Sequence, residues 1–426
     1  MRRNPTARPT LLTPAPTAAL APAAAHMLAI ALALLALLSS CARAPLKSPT
    51  DRENALRPTS APSELARDDL PLADLARATR TEIDYLKANA SAGGPWVFGP
   101  RTVAREEYIA GLERFAALAE QTAQDTAPDR GEKFARAISD AFDFFEVYGQ
   151  QDWGDVFISS YYEPFIEGSR RPTKEHPQPL YRAPEDLVSL DLTDFDPKFK
   201  DERKLRGRVV KNAQGALSFQ PYYSREDIDS RKVLARKKLE LVYVDPWDAF
   251  LLQIQGSGTV HLKDGTRIRL IVADKNGAHY DSIGKFIKDK IAPEDVNLDT
   301  IEAYLRKQSP EEQQKLMNLN ASYIFFKESD EPAITKLGVP ATDGRTIATD
   351  SRLFPKGALA FLTTAAPSPT GAPLSRFVLD QDIGGAISGP GRLDLFWGRG
   401  DEAKRAAGRI KLRGRLVYLA PKPAPK

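Results

Sequence analysis

The sequence predicts a mainly β protein with helices near its N-terminal end, and three observations support this fold class. From Leu70 to about Tyr148, apolar residues recur at three- and four-residue spacings, as in amphipathic helices. Beyond that point, short alternating or continuous apolar runs are separated by turn signals such as Asp264-Gly265 and Asn276-Gly277. The length of 426 residues allows two or three domains, and the chain shows no repeat of fixed period.

Residues 1–41 are predicted to form a lipoprotein signal peptide with a lipobox. The apolar run from Met27 to Leu38 is too short to span a bilayer as a stable helix, and basic residues precede it. It ends in Leu38-Ser39-Ser40-Cys41, which resembles the bacterial lipobox, whose cysteine becomes the acylated first residue of the mature chain. We therefore predict lipid attachment at Cys41. Ala42 indicates sorting to the outer membrane, with the protein on its periplasmic side. Because Cys41 is the only cysteine, the mature chain forms no internal disulfide.

Residues 42–68 are predicted to be a flexible tether, because they are rich in Pro, Ser and charge and lack a periodic apolar face. Residues 69–164 are predicted to hold a helical segment and the first part of the next domain. Within the helical segment, the spacing of Phe134, Ile138, Phe142 and Phe145 predicts an aromatic core stripe.

The remainder is predicted to be rich in strands. "SGTVHLKDGTRIRLIVA" is typical of a hairpin, and "NLDTIEAYLRKQSPEEQQKLMNLN" is a helical interval before a buried strand in "ASYIFFKE". Later strands are predicted in "RTIATD", "ALAFL", "RFVLDQD", "RLDLFWG" and "RLVYLA".

Composition argues against several classes of function. The chain has 60 Lys and Arg against 56 Asp and Glu, and three of the basic residues lie in the leader, so no nucleic-acid partner is expected. The four histidines are scattered without metal-ligand spacing, so we predict no metal and no cofactor. Ser257 lacks the glycine that a nucleophile elbow requires two residues earlier, and "GPGRLD" does not fit a dinucleotide fingerprint.

Carboxylates remain as candidate catalytic groups. Asp382 precedes a glycine-rich bend, where an aspartate is most often a turn residue. Asp394 lies in "RLDLFW", whose alternation places Arg392, Asp394 and Phe396 on one face of a strand.

Several stretches together resemble the membrane-bound lytic murein transglycosylase A family, with its C-terminal three-aspartate (3D) domain. The match runs in order from about Ser159 to Leu419. It consists of "SSYYEPFIEGS", "PLYRAP", "PYYSREDID", "YVDPWDAFLLQIQGSG", "KNGAHYDSIG", "NASYIFFKE" and "DQDIGGAISGPGRLDLFWGRG". One departure is Ser159-Ser160, where the family commonly has Thr-Gly.

The resemblance implies a double-psi β-barrel interrupted by a smaller inserted β domain, with the substrate groove between them. It places the insert at 165–323, the three-aspartate part of the barrel at 324–420 and a tail at 421–426. It implies peptidoglycan glycan strands as the substrate. Cell-wall synthesis or division complexes are further candidate partners, besides the membrane that the lipid anchor binds.

The resemblance further implies an exotransglycosylase, a carbon–oxygen lyase that cleaves the β-1,4 bond between N-acetylmuramic acid and N-acetylglucosamine and leaves 1,6-anhydromuramic ends. Such an enzyme needs one carboxyl group, acting first as general acid and then as general base. The family assigns this role to the position of Asp394. Asp382 and Asp350 are then supporting residues. Further groove candidates are Tyr161, Tyr162, Gln253, Gln255 and Ser257.

Two other classes of function stay open at this stage. A non-catalytic peptidoglycan-binding lipoprotein would use an expansin-like barrel only to grip glycan. An aspartic protease would need two Asp-Ser/Thr-Gly motifs, which Asp382 and Asp343 do not supply. A hydrolase would need a second carboxylate, for which Glu163 is a candidate, although a surface position before Pro164 is the simpler interpretation.

Overall fold

The computed structural model describes residues 51–150, 152–196, 204–292, 295–332, 334–368, 371–384 and 387–423. Most of the regular structure is β, accompanied by several helices, which agrees with the predicted class. The helices are α1 (Arg52–Ala55), α2 (Leu72–Ala88), α3 (Arg105–Gln124), α4 (Arg130–Ala141), α5 (Pro246–Gln255), α6 (Leu298–Leu305), α7 (Pro310–Asn318) and α8 (Gly400–Ala407).

The strands fall into two large sheets and two small ones. They are β1 (Leu56–Thr59), β2 (Trp96–Phe98), β3 (Arg101–Val103), β4 (Phe142–Val147), β5 (Asp155–Glu163), β6 (Phe165–Ser169), β7 (Gln178–Tyr181), β8 (Val188–Leu190), β9 (Leu205–Lys211), β10 (Leu217–Pro221), β11 (Glu240–Val244), β12 (Ser257–Leu262), β13 (Arg267–Lys275), β14 (Ile324–Glu328), β15 (Thr346–Ala348), β16 (Ala358–Thr364), β17 (Ser375–Asp382), β18 (Arg392–Arg399) and β19 (Leu412–Pro421).

The first described residues differ from the predicted tether. Asp51 caps α1, and β1 pairs with β4 along its whole length. Farther along, Asp68 forms a buried ion pair with Arg345 at 2.7 Å. Leu56 and Leu65 are buried. They are isolated apolar residues in a polar stretch, so they form no periodic pattern that would predict a strand or a helix. Chain that was predicted to be flexible is therefore part of the folded body from residue 51 onward.

Helices α2, α3 and α4 confirm the predicted helical segment, but the segment ends earlier than expected. Helix α4 stops at Ala141, and Phe142 has extended backbone angles (φ −130°, ψ 148°). Phe142 and Phe145 therefore lie on β4 and do not continue a helical stripe. The run "FDFF" has the aromatic content that favours a pleated, half-buried strand, and here that preference decides.

One sheet closes into a barrel of six strands. Its strands follow each other in the order β5-β18-β15-β17-β16-β19, and β19 pairs again with β5. The pairs β15/β17 and β18/β5 are parallel, and the other pairs are antiparallel. Strands β4 and β1 extend the sheet outward from β19. Fully buried residues such as Leu359, Leu379 and Leu393 form its core.

The second large sheet has the order β14-β13-β12-β6-β11-β7, and it lies wholly between residues 165 and 328. The predicted hairpin is confirmed: β12 and β13 are antiparallel, and Gly265 has the positive φ that its turn needs. Strand β14 pairs with β13 in this sheet, although the predicted limit at residue 323 assigned it to the barrel. A small sheet of β10-β9-β8 belongs to the same part of the chain.

Within the described ranges, which begin at residue 51, no helix is long and apolar enough to cross a membrane. The predicted signal peptide and Cys41 lie outside those ranges.

Candidate active site

Four residues on adjacent barrel strands lie side by side and define what we call the acid row. Ala348 on β15 pairs with Asp382 on β17 and with Asp394 on β18, and Asp394 pairs with Ser159 on β5. Neighbouring strands are about 4.8 Å apart, so the Cα atoms of the two aspartates are separated by about 10 Å. The strand order therefore brings the two predicted carboxylates to one face of the barrel.

Asp394 is partly exposed, whereas its neighbours Leu393 and Leu395 are fully buried, as the predicted alternation requires. The Ser159 hydroxyl donates a short hydrogen bond to Asp394 Oδ1. Removal from water raises the pKa of Asp394 above its ordinary value, while the Ser159 hydrogen bond and the Arg392 charge oppose this effect. A carboxyl group with a raised pKa can hold a proton near neutral pH and donate it.

Asp382 is held more firmly than Asp394. Its Oδ1 accepts the backbone N–H of Lys336 at 3.0 Å and of Ile383 at 2.9 Å, and its Oδ2 accepts the Tyr161 hydroxyl at 2.9 Å. Burial raises the pKa of Asp382, although these donors work in the opposite direction. The carboxylate thus fixes the start of the glycine bend and the position of the Tyr161 ring.

A second group of polar side chains, which we call the buried network, joins β17 and β19 of the barrel to α2 and to the loop between β15 and β16. Asp380 is fully buried and accepts hydrogen bonds from Lys356 at 2.5 Å, from Thr349 at 2.6 Å and from Tyr418 at 2.6 Å. The adjacent Gln381 amide donates to Glu82 on α2 at 2.7 Å. The buried network therefore consists of Glu82, Thr349, Lys356, Asp380, Gln381 and Tyr418.

With this geometry established, comparison with known proteins identifies the family. The model of the MltA specific insert domain matches residues 157–327, and that of the 3D domain matches residues 345–420. The chain belongs to the membrane-bound lytic murein transglycosylase A family.

Its relatives share both sequence and fold with it. It is 28% identical over 296 residues to membrane-bound lytic murein transglycosylase A of Escherichia coli K12, covering 66% of this chain and 70% of that protein. The crystal structure of a membrane-bound lytic murein transglycosylase from Agrobacterium tumefaciens has 27% identity and a TM-score of 0.70, with 86% and 98% coverage of the two chains. The lytic transglycosylase LtgG of Burkholderia pseudomallei has 30% identity and a TM-score of 0.52, with 90% and 99% coverage.

Asp350, the third aspartate of the predicted set, is engaged by strong donors. The Arg352 guanidinium donates to both of its oxygens, at 3.0 and 2.6 Å, and the Gly389 N–H donates at 2.9 Å. Burial alone would raise the pKa of Asp350, but these hydrogen bonds outweigh it and lower the pKa. Asp350 is therefore ionised and ties the loop after β15 to the glycine bend.

The structure separates the predicted groove residues by position. The Tyr161 ring lies 5.1 Å from that of Phe396, and Tyr161 is partly exposed beside the acid row. Tyr162 is buried in a core cluster with Trp247 and Phe250, because adjacent residues of a strand point to opposite faces. The side chain that was a groove candidate at position 162 is thus part of the core.

The three remaining groove candidates lie at the end of α5 (Gln253 and Gln255) and at the start of β12 (Ser257). Gln255 accepts the Tyr162 backbone N–H at 3.0 Å, which connects α5 to the barrel strand β5. Gln253 is buried, and its Oε1 has no partner among the described residues. Ser257 is partly exposed at the first position of β12. No contact joins these three residues directly to Asp394 in the described part of the chain.

Glu163 does not lie at the surface, contrary to the simpler interpretation of its sequence context. Its carboxylate is buried, accepts the Arg399 guanidinium at 3.0 Å and lies 3.7 Å from Arg269. Arg399 belongs to the barrel strand β18 and Arg269 to the second sheet, so this ion pair joins the two sheets. A carboxylate held in this way by two arginines is committed to structure.

Sequence reasoning missed the partners of Asp394. Ser159 appeared only as a departure from the family pattern, and Arg392 only as a residue on the same strand face. The contact of Ser159 with the acid depends on the parallel pairing of β5 with β18, whose residues are more than 230 positions apart, whereas Arg392 lies on β18 itself. A strand partner at that separation leaves no local signal in a single sequence. Among the described residues, no cluster of His, Cys, Asp or Glu fits a metal ion.

Proposed function

We propose that this chain is a peptidoglycan-cleaving lytic transglycosylase in which Asp394 is the only acid and base of the reaction. The bond cleaved is the β-1,4 link between N-acetylmuramic acid and N-acetylglucosamine. The observation that supports the proposal most strongly is the environment of Asp394. The residue is partly exposed, burial raises its pKa, and the Ser159 hydroxyl donates a hydrogen bond to it. Family membership supplies the substrate class.

In the first half of the reaction, protonated Asp394 donates its proton to the glycosidic oxygen as the bond from that oxygen to C1 of muramic acid breaks. The leaving sugar departs with a hydroxyl group, and positive charge develops at C1. The carboxylate that remains on Asp394 stabilises this charge.

In the second half, the C6 hydroxyl of the same muramic acid attacks C1, and Asp394 takes its proton. A bond from O6 to C1 forms, which yields the 1,6-anhydro ring and returns Asp394 to its protonated state. No water enters the product. An internal nucleophile held against C1 has the entropic advantage of an intramolecular reaction, which replaces the second carboxylate of ordinary glycosidases.

The same proposal includes the finer architecture. The closed barrel with two parallel strand pairs supports a double-psi topology, and the second sheet supports an inserted domain that ends near residue 328, after β14. Between them lies the proposed glycan groove, since ligand sites commonly form at domain interfaces. We propose that Tyr161, which is partly exposed on the strand that carries Ser159, stacks against a sugar.

We also propose that Cys41 carries a lipid anchor and that the enzyme acts on the periplasmic side of the outer membrane. The relatives from E. coli and A. tumefaciens are named as membrane-bound. The apolar run before Cys41 and the small residues Ser39 and Ser40 support the anchor. If Cys41→Ser fractionates with membranes as the parent does, this part of the proposal is wrong.

One observation favours a second candidate reaction, inverting hydrolysis. The two aspartates of the acid row have Cα atoms about 10 Å apart, and inverting glycosidases place their carboxyl groups roughly 6.5–9.5 Å apart around a water molecule. Asp382 would then have to activate water, but three donors already hold its oxygens. An aspartic protease needs two carboxylates that share a proton at about 3 Å. Here Asp394 accepts the Ser159 hydroxyl and Asp382 accepts the Tyr161 hydroxyl, which argues against that arrangement.

Digestion of purified peptidoglycan tests the proposal. The parent is expected to release soluble fragments with 1,6-anhydromuramic ends, identified by mass spectrometry, and Asp394→Asn is expected to release almost none. Asp143→Asn, which changes an aspartate of β4 that pairs with Arg101 outside the six-stranded barrel, serves as the control and should match the parent. Release of peptides, or of nothing at all by the parent, would contradict the proposal in favour of a protease or a glycan-binding protein.

A further inference from the structure

Arg392 lies beside the proposed acid but has no role in the reaction described above. It is two residues before Asp394 on β18, and its partner on β5 is Phe157, two residues before Ser159. Its guanidinium donates to Ser159 Oγ at 3.4 Å and lies 5.9 Å from the centre of the Phe157 ring. The side chain therefore shares the strand face on which Asp394 lies.

Among the described residues, Arg392 has no ion-pair partner. Its guanidinium has no carboxylate at ion-pairing distance in the described ranges, and its Nε is buried without a hydrogen-bond partner there. Other arginines of the barrel are paired: Arg399 with Glu163, Arg413 with Asp155 and Arg415 with Glu146. A buried donor that lacks a partner destabilises the protein, and a bound acceptor would remove that cost.

We propose that Arg392 determines specificity by binding a carboxylate carried by the muramic acid residue at the scissile bond. This inference rests on the proposed function and deepens it. Muramic acid differs from N-acetylglucosamine by a lactyl group, which ends in a carboxylate or continues into a stem peptide that has carboxylates of its own. A guanidinium matches a carboxylate by two parallel hydrogen bonds, so it recognises this group and gains nothing from a neutral sugar.

The position of Arg392 also connects recognition to catalysis. Its positive charge lowers the pKa of Asp394, in opposition to burial, and so disfavours the protonated acid. A carboxylate bound to the guanidinium neutralises that charge. Asp394 therefore keeps its full tendency to hold a proton only when the bound glycan strand carries a carboxylate that pairs with Arg392.

Binding measured by calorimetry in an Asp394→Asn background tests this inference. Three soluble probes are compared: neutral chitohexaose, glycan strands stripped of peptide by an amidase so that they keep lactyl carboxylates, and strands that retain their stem peptides. Adding Arg392→Gln is expected to weaken binding of the charged probes roughly tenfold and to leave chitohexaose unchanged, because one charge-assisted contact is lost. A loss only on peptide-stripped strands assigns the lactyl carboxylate, a loss only on peptide-bearing strands assigns a stem carboxylate, and a loss on both shows that the guanidinium binds either group.

Two further variants keep the result interpretable. Arg413→Gln removes an exposed, paired arginine of the same barrel and should change binding of none of the probes. Arg392→Lys keeps the charge and should retain preference for the charged probes even if thermal unfolding shows that Arg392→Gln is less stable.

The inference is overturned if Arg392→Gln weakens all three probes equally, which would make Arg392 a positioning residue, or if it weakens none. Failure of the Asp394→Asn background to bind any of the probes would overturn the proposed function and this inference with it.

Discussion

The acid row and the buried network share strand β17 of the barrel, yet they hold aspartate in opposite ways. Asp380 is fully buried with three side-chain donors, one of them a lysine at 2.5 Å. Asp394 is partly exposed and receives one short hydrogen bond, and no cation of the described chain forms an ion pair with it. The two residues lie on barrel strands that are separated only by β15, so the contrast comes from the side chains that surround each carboxylate.

The difference indicates which carboxylate is free to change its charge. A buried aspartate fixed by a lysine loses strong interactions if it is protonated, so it contributes to structure and is unsuitable as an acid. Asp394 lacks such a partner, and removal from water favours its neutral form. The variants below test this contrast, beginning with the one for which we expect the largest effect.

Asp394→Asn should separate activity from stability. Turnover of peptidoglycan is expected to fall at least a hundredfold, because asparagine cannot exchange a proton. The free energy of unfolding should stay level or rise, on the order of 1 kcal/mol, because an unfavourably placed carboxylate has been removed. Muropeptide release and urea unfolding at pH 7 measure the two quantities. Near-normal turnover would remove Asp394 from the mechanism.

Lys356→Met, in contrast to Asp394→Asn, should lower the free energy of unfolding. It leaves the buried carboxylate of Asp380 without its cation, and breaking a buried pair in this way costs about 3–5 kcal/mol. Lys87→Met, which removes an exposed lysine paired with Glu113, is the control and should change stability by less than about 1 kcal/mol. If the two variants unfold at the same denaturant concentration, Asp380 is not held as we describe.

Glu82→Gln should alter how stability depends on pH. Burial, together with the nearby charge of Asp380, raises the pKa of Glu82 to about 7, although the hydrogen bond from the Gln381 amide acts to lower it. Because the folded state holds this proton more tightly than the unfolded state, the stabilising contribution is complete below an unfolded pKa of about 4.5 and is lost as pH rises through about 7.

The glutamine variant should lack this loss and be more stable than the parent at pH 8, by roughly 2–3 kcal/mol. Urea unfolding at pH 5 and pH 8 measures the change. An unaltered difference between the two pH values would show that Glu82 is not the group responsible.

Ser159→Ala is expected to have the smallest effect. Its hydroxyl favours the ionised form of Asp394, so its removal should raise the pKa of the acid further. Since the acid works when protonated, the fall in kcat/KM at alkaline pH should move to higher pH, by up to about one unit.

Loss of orientation should also lower the maximal rate of Ser159→Ala roughly tenfold. Ser160→Ala, whose hydroxyl donates to the Ala407 carbonyl at 2.8 Å, is the adjacent control. A shift toward lower pH in Ser159→Ala would reverse the assigned role of the hydroxyl.

The contrast also shows where sequence reasoning succeeds. The alternation in "RLDLFW" predicted the face of Asp394, because strand periodicity is local. The difference between Asp380 and Asp394 could not be predicted, since it depends on Lys356, which lies just before the neighbouring strand β16, and on Ser159, which lies on a strand far away in the sequence. For the same reason the tether and the end of α4 were misplaced: β1 and β4 are held by partners elsewhere in the barrel.

The central claim is that one carboxyl group suffices because the substrate supplies its own nucleophile. Digestion of peptidoglycan by the parent in oxygen-18-labelled water tests it most directly, with mass spectrometry of the released fragments. We predict that the newly formed muramic acid ends contain no labelled oxygen and carry the anhydro ring, because no water takes part. Incorporation of one labelled oxygen at those ends would show hydrolysis and would require a second catalytic carboxylate, with Asp382 as the first residue to test.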